Sequence, residues 1–123
     1  MGCIQGSAQA CVFCELASRP QEFLYEDEWL FIVEDKFPSG QFHLLVIPKV
    51  HYRDIRAAPA EYLQHSLEVV RSIVPLANLR LGYHRFYSIP HLHLHCLTPP
   101  YTGAFNWLKF QAPFFIEADN APS

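Results

Sequence analysis

Long apolar runs are missing from this chain. No stretch approaches the roughly 18 consecutive apolar residues that a bilayer-crossing helix needs, so an α-helical membrane protein is excluded. Positive charge is scarce. Nine Lys and Arg stand against twelve Asp and Glu, for a net charge of −3. That argues against binding nucleic acid through a broad basic surface, and no nucleic-acid partner is expected. A small phosphate ligand stays open, because a few local donors can hold one. Internal repeats and low-complexity tracts are absent, which sets aside solenoids and biased linkers. The first ten residues lack a basic start and an apolar block, so no secretory signal is expected. The opening MGCIQGS places Gly2 before Cys3, a hint of acylation, but the usual pattern wants Ser or Thr where Gly6 stands, and Ser7 comes one place late. Residues 1–10 are therefore read as a flexible arm, with no membrane contact unless the N-terminus is acylated.

What is present fits one packed domain. The chain has 123 residues, 50% of them apolar and 15% aromatic, enough for a real core and too few for two domains. That domain is placed at 11–118, with a tail at 119–123. Cys3, Cys11, Cys14 and Cys96 form an even set, but without a signal peptide a reducing compartment is expected. The predicted location is the cytoplasm, with the nucleus also open.

Residues 11–20, CVFCELASRP, read as a short helix ended by Pro20. Residues 23–35 hold two strand-like pieces, 23–25 and 29–33, joined by a tight turn at Glu26-Asp27-Glu28. FHLLVIPK (42–49) has no polar alternation, the pattern of a strand buried on both faces. Residues 59–81 form the one long helix, with Tyr62, Leu63, Leu67, Val70 and Ile73 or Val74 at helical spacing and Pro75 placed to kink or end it. His65 falls on its polar side and is read as solvent-exposed. Segments 80–88 and 91–98 read as strands, and 105–118 as a helical turn followed by an edge strand. The expected fold class is α+β: an antiparallel sheet of about five strands, one long central helix and a short N-terminal helix.

The segment HLHLHCL (91–97) carries the chemistry. On a strand, alternate side chains share a face. His91, His93 and His95 then point one way, and Leu92, Leu94 and Cys96 anchor the other face to the core. Exposed histidines or a three-histidine metal site would also fit the pattern. Catalysis is the sharper reading, because neutral imidazole is a good nucleophile toward phosphorus when a partner at its other nitrogen fixes its tautomer. Cys11 and Cys14 have the spacing of zinc ligands, and His51 with His91 would complete a Cys₂His₂ set. His43 lies in an apolar strand, where a structural and an active-site role weigh equally. His84 and Ser88 are candidate phosphate donors. Asp35 is a candidate acceptor for ribose hydroxyls or an ordinary turn carboxylate.

These motifs, in this order, resemble the histidine triad superfamily, whose signature is His-φ-His-φ-His-φ-φ. HLLVIPKVH (43–51), VEDKFP (33–38) and CVFC (11–14) extend the resemblance from about Cys11 to Thr98. LGYH…YSIPHLHLHC and the tail FFIEA most resemble the eukaryotic nucleotide-binding branch that includes adenosine phosphoramidases. The resemblance implies a homodimer that binds purine nucleotides, AMP and AMP conjugates, and cleaves adenosine 5′-phosphoramidates through a nucleotidyl-histidine intermediate.

It implies catalytic roles for His93 as nucleophile, His95 and His43. His95, Ser88 and His84 fall at the phosphate, Asp35 at the ribose, and Phe13, Leu16, Val33 and Lys36 at the base. Cys11, Cys14, His51 and His91 fall at a structural zinc. The chain departs from that branch in having only Arg85-Phe86-Tyr87 between His84 and Ser88. Lys36 also stands where Ile is common. Two other readings stay open: a dinucleoside polyphosphate hydrolase or nucleotidyltransferase of the same superfamily, and a zinc-stabilised module that binds without turnover.

Overall fold

The computed structural model describes residues 11–76, 78–86 and 89–118. The expected arm, the expected tail and Ser88 lie outside them. Helix α1 (Val12–Leu16) and a 3₁₀ turn (Pro20–Glu22) lead into β1 (Tyr25–Glu26), β2 (Leu30–Glu34) and β3 (Gly40–Pro48). Helix α2 (Ala60–Ile73) follows, then β4 (Arg80–His84), β5 (Leu94–Tyr101), α3 (Ala104–Lys109) and β6 (Phe115–Glu117). The fold is α+β, with a six-stranded sheet in the order β1-β2-β3-β5-β4-β6 and antiparallel pairing throughout. The sequence reading of about five strands undercounts slightly.

The period-2 geometry of strands explains the all-apolar runs. Leu30, Ile32, Leu44 and Val46 face α2 and join Tyr62, Leu63, Val69 and Val70 in the main core. Phe31, Val33, Leu45 and Ile47 face the opposite side and pack with Phe13 of α1. Both faces of β2 and β3 are covered, so neither strand needs a polar stripe. The turn between β1 and β2 is built by Asp27, whose Oδ1 accepts the N–H groups of Trp29 at 2.7 Å and Leu30 at 3.0 Å.

Several expectations need correction. Pro20 begins a 3₁₀ turn, and α1 ends earlier, at Leu16; a proline is tolerated in a first turn because its missing N–H has no partner there anyway. Helix α2 stops at Ile73, since a residue before proline is pushed out of helical geometry, as Val74 is ahead of Pro75. Its buried stripe runs through Ser66 and Val69, while Leu67 is partly buried and Ile73 stays exposed. Ser66 fits inside because its hydroxyl donates to the Leu63 carbonyl at 2.7 Å. His65 is half-buried, with Nε2 2.7 Å from Asp27 Oδ2 and its ring against Trp29. Strand β4 ends at His84, where Arg85 N–H turns to the Phe114 carbonyl. Gly82 permits the close β4–β6 approach: a Cβ there would lie 2.4 Å from the Ile116 carbonyl oxygen.

Candidate active site

The ladder of β5 starts at Leu94, three residues later than expected, and runs on to Tyr101. Its pairing with β3 ends at Val46↔Leu94, beyond which β3 reaches Pro48, a residue with no N–H to offer. Leu92 N–H bonds instead to the Tyr52 carbonyl at 2.7 Å. The alternation of side chains persists through this lead-in. Leu92, Leu94 and Cys96 all join the α2-side core, and the three histidines lie on the other side. The His93 and His95 ring centroids are 4.9 Å apart. His43 from β3 and His84 from β4 bring their rings to 5.1 Å and 4.4 Å from His95.

Backbone partners settle the tautomers. The Ser39 N–H donates to His43 Nδ1 at 2.9 Å, so the neutral His43 carries its proton on Nε2. That N–H meets His95 Nδ1 at 2.9 Å, which leaves the His95 proton on Nε2. His95 Nε2 is buried with no hydrogen-bond partner among the described residues, a condition proteins rarely leave unanswered. His93 runs the opposite way: its Nδ1–H donates to the His91 carbonyl at 2.7 Å, and its Nε2 holds a bare lone pair. One ring presents an acceptor and its neighbour a donor.

Burial keeps these rings neutral. It pushes His84 down to about 4, with Lys109, His93 and His43 adding like-charge repulsion. It holds His95 well below the ordinary imidazole range. It lowers His93, opposed by the His91 carbonyl and by Asp35. It also lowers His43, again opposed by Asp35, whose Oδ2 lies 3.5 Å from His43 Nε2. The wall responsible is Phe110, fully buried, with its ring 4.7 to 5.9 Å from those of His84, His95 and His43.

A cavity of about 670 Å³ opens onto this group. Phe13, Leu16, Val33, Asp35, Lys36, His84, His93 and His95, all expected from sequence, line it together. His43 stands behind His95. Leu45, Phe37, Phe86, Ile89 and Lys109 line it as well and had escaped the sequence reading. Leu45 was findable from register, since it pairs with His95. Lys109 carried no local signal, because α3 brings it in from a segment remote from the histidines.

Cys11, Cys14, His51 and His91 place one ligand atom each within 4.8 Å of one another, and the group could hold a metal ion. The sulfur to Nδ1 distances run from 3.1 to 3.6 Å, against about 3.6 Å for a tetrahedron with standard zinc bond lengths. His51 Nε2–H and His91 Nε2–H donate to the carbonyls of Pro90 and Pro48, so both rings turn a bare Nδ1 toward the sulfurs, as metal ligation requires. Ligation by the two sulfurs requires them as thiolates, so the metal binds reduced protein. Asp35, His43 and His95 also cluster, and there the 2.9 Å contact between His43 and His95 is the hydrogen bond that sets their tautomers.

Residues 10–111 match the family described as "Scavenger mRNA decapping enzyme C-term binding". The chain is 35% identical over 131 residues to the Arabidopsis thaliana bifunctional adenosine 5′-phosphosulfate phosphorylase/adenylylsulfatase HINT4, covering 93% of this chain and 90% of that one. It is 34% identical to the Xenopus tropicalis adenosine 5′-monophosphoramidase HINT3, over 73% of this chain and 68% of that one. The chain belongs to the histidine triad superfamily. An aprataxin ortholog, Hnt3, solved in complex with DNA, shares the fold at a TM-score of 0.70 and 21% identity, over 87% of this chain and 69% of that one. As a histidine triad protein, the chain falls in a family of nucleotide-binding hydrolases. Within this triad, His91 faces the cysteines while His93 and His95 face the cavity. Phe13, between the two cysteines in sequence, sets its ring 5.7 Å from His91 and 4.8 Å from His93 and so links the two groups.

Proposed function

We propose that this chain hydrolyses adenosine 5′-phosphoramidates through a nucleotidyl intermediate on His93. The observation that carries the reading is the pair of opposed tautomers, a bare Nε2 on His93 beside an Nε2–H on His95. In the first step His93 Nε2 attacks the α-phosphorus, an N–P bond forms, and the P–N bond to the amine breaks. The amine leaves with a proton, and a bound phosphate anion raises the neighbouring imidazoles toward the protonation that this donation needs. His95 Nε2–H stabilises the charge that spreads over the phosphoryl oxygens. Water then attacks the same phosphorus, His93 departs neutral and AMP is released. Asp35 receives the ribose hydroxyls. Phe13, Leu16 and Val33 hold the base with Lys36 at its edge, and His84 and Ser88 serve the phosphate.

Zinc is the metal we assign to Cys11, Cys14, His51 and His91. Four protein ligands leave no open position for water, so its role there is structural. Support for the nucleotide comes from the two named relatives, both of which act on adenosine 5′-phosphate compounds. The net charge of −3 favours a mononucleotide over a nucleic acid.

The test is to trap the intermediate. Protein mixed with adenosine 5′-phosphoramidate labelled at phosphorus and quenched in alkali should carry an acid-labile label on the peptide containing His93, and His93→Ala should carry none. Label on another residue, or none in the native chain, refutes the assignment.

A further inference from the structure

Arg19, Lys36 and Lys109 all line the nucleotide cavity, but their circumstances differ. Arg19 is paired with the carboxylates of Glu15 and Glu22, at 3.3 and 3.7 Å. Lys36 follows Asp35 directly in the chain and lines the cavity beside it. Lys109 makes no ion pair among the described residues, and its Nζ rests 5.4 Å from the centroid of the exposed Phe105 ring. A cation over an exposed ring is held by only about 0.5–1 kcal/mol, so this contact yields readily to an anion.

Helix α3 is a firm mount for Lys109. Asn106 Nδ2 donates to the Thr102 carbonyl at 2.7 Å. Thr102 in turn donates its N–H to the Ser39 carbonyl at 2.9 Å and its hydroxyl to the Pro38 carbonyl at 3.1 Å. These bonds tie the start of α3 to the connection between β2 and β3. Phe110, the residue after Lys109, is fully buried with its ring against those of His84, His95 and His43. The backbone at 109 is thus anchored from both sides, one residue from the histidine wall. Burial is the main cause that keeps His84, His95 and His43 neutral, and the positive charge of Lys109 adds to it at all three.

Neutral rings offer a phosphoryl group hydrogen bonds but no countercharge. We propose that Lys109 is a catalytic residue whose ammonium binds a non-bridging oxygen of the α-phosphoryl group held between His93 and His95. The proposal rests on His93 as the attacking group and adds the source of positive charge. Lys109 keeps its proton in both steps. In the first, the N–P bond forms at His93 Nε2 and the bond to the amine breaks; in the second, water displaces His93. The ammonium acts as a compact point charge, and it contributes most where negative charge spreads over the phosphoryl oxygens.

The first measurement is turnover. In Lys109→Gln, kcat/KM on adenosine 5′-phosphoramidate should fall about 10- to 100-fold, the range for one hydrogen bond to a charged group. Lys109→Arg keeps the charge and should stay at least about fivefold above the Gln variant. A Gln variant within about threefold of native, or an Arg variant as slow as Gln, overturns the proposal.

The second measurement needs no turnover. In a His93→Ala background, calorimetry should find AMP bound at least about tenfold tighter than adenosine. Lys109→Gln should remove most of that margin by weakening AMP alone. Adenosine reads the base and ribose walls without the phosphate, so an equal loss on both ligands marks a disturbed α3 and overturns the proposal, as does an unchanged margin. If the margin shrinks as expected while the native chain hydrolyses no phosphoramidate, the phosphate contact stands and the hydrolase reading falls.

Discussion

His43 Nε2 lies 2.9 Å from His95 Nδ1 across the β3–β5 pair. This contact passes a proton arrangement from the backbone to the site: Ser39 N–H fixes His43, and His43 fixes His95. His43→Ala should release His95 to either tautomer. The expected result is a fall in kcat of about 10- to 100-fold on adenosine 5′-phosphoramidate with a small change in KM, and partial return in His43→Gln, which restores a donor. Steady-state kinetics read the split.

His93→Ala removes the attacking lone pair but leaves the walls of the nucleotide cavity. Turnover should drop by at least about 10³-fold, while AMP affinity by calorimetry stays within a few-fold of native.

Acid should destabilise the fold through the histidines that are buried neutral. The His84 value falls from 6.5 to about 4 on folding, and His95 moves in the same direction. Between those pH values the unfolded chain binds more protons than the folded one, so stability rises with pH. The contribution is complete above about pH 6.5 and is lost as pH falls toward about 4. Urea unfolding at pH steps from 7.5 to about 4 should show the decline, and His84→Gln should flatten its slope relative to native.

Reduced protein should hold about one zinc per chain by elemental analysis. Cys11→Ser should lose most of it and unfold at a lower temperature. Because Phe13 touches both His91 and His93, zinc removal should also slow turnover, restored by adding the metal back.

Phe110→Ala should cost about 3–5 kcal/mol, the range for emptying a phenylalanine site in a core. It also admits water beside His84 and His95, so the His84 titration followed by NMR should move up toward the ordinary value.

The polar and apolar alternation of residues 91–97 made the triad face legible, and the spacing of CVFC with His51 and His91 made the metal cluster legible. Both are encoded in local periodicity or in a small set of scarce residue types. Phe13, Leu16 and Val33 were reached only through resemblance, and Asp35 read on its own was equally an ordinary turn carboxylate, because single residues of those types in loops and strands carry no pattern of their own. Phe110, Ser39 and Lys109 were missed for a different reason. Each matters through a long-range contact that depends on how α3 and the β2–β3 connection fold back over the sheet, and no window of sequence contains both partners. The late start of β5 was hidden too, since Pro48 on the neighbouring strand ends the ladder.

The two faces of the segment from Leu92 to Cys96 answer to separate demands. Its leucines and Cys96 belong to the interior shared with α2, and its intervening imidazoles belong to the cavity on the reverse. Replacements one position apart should therefore fail in unlike ways, by loss of soluble protein at 92, 94 and 96 and by inert but well-folded protein at 93. A lineage can thus retune the reaction without renegotiating its scaffold.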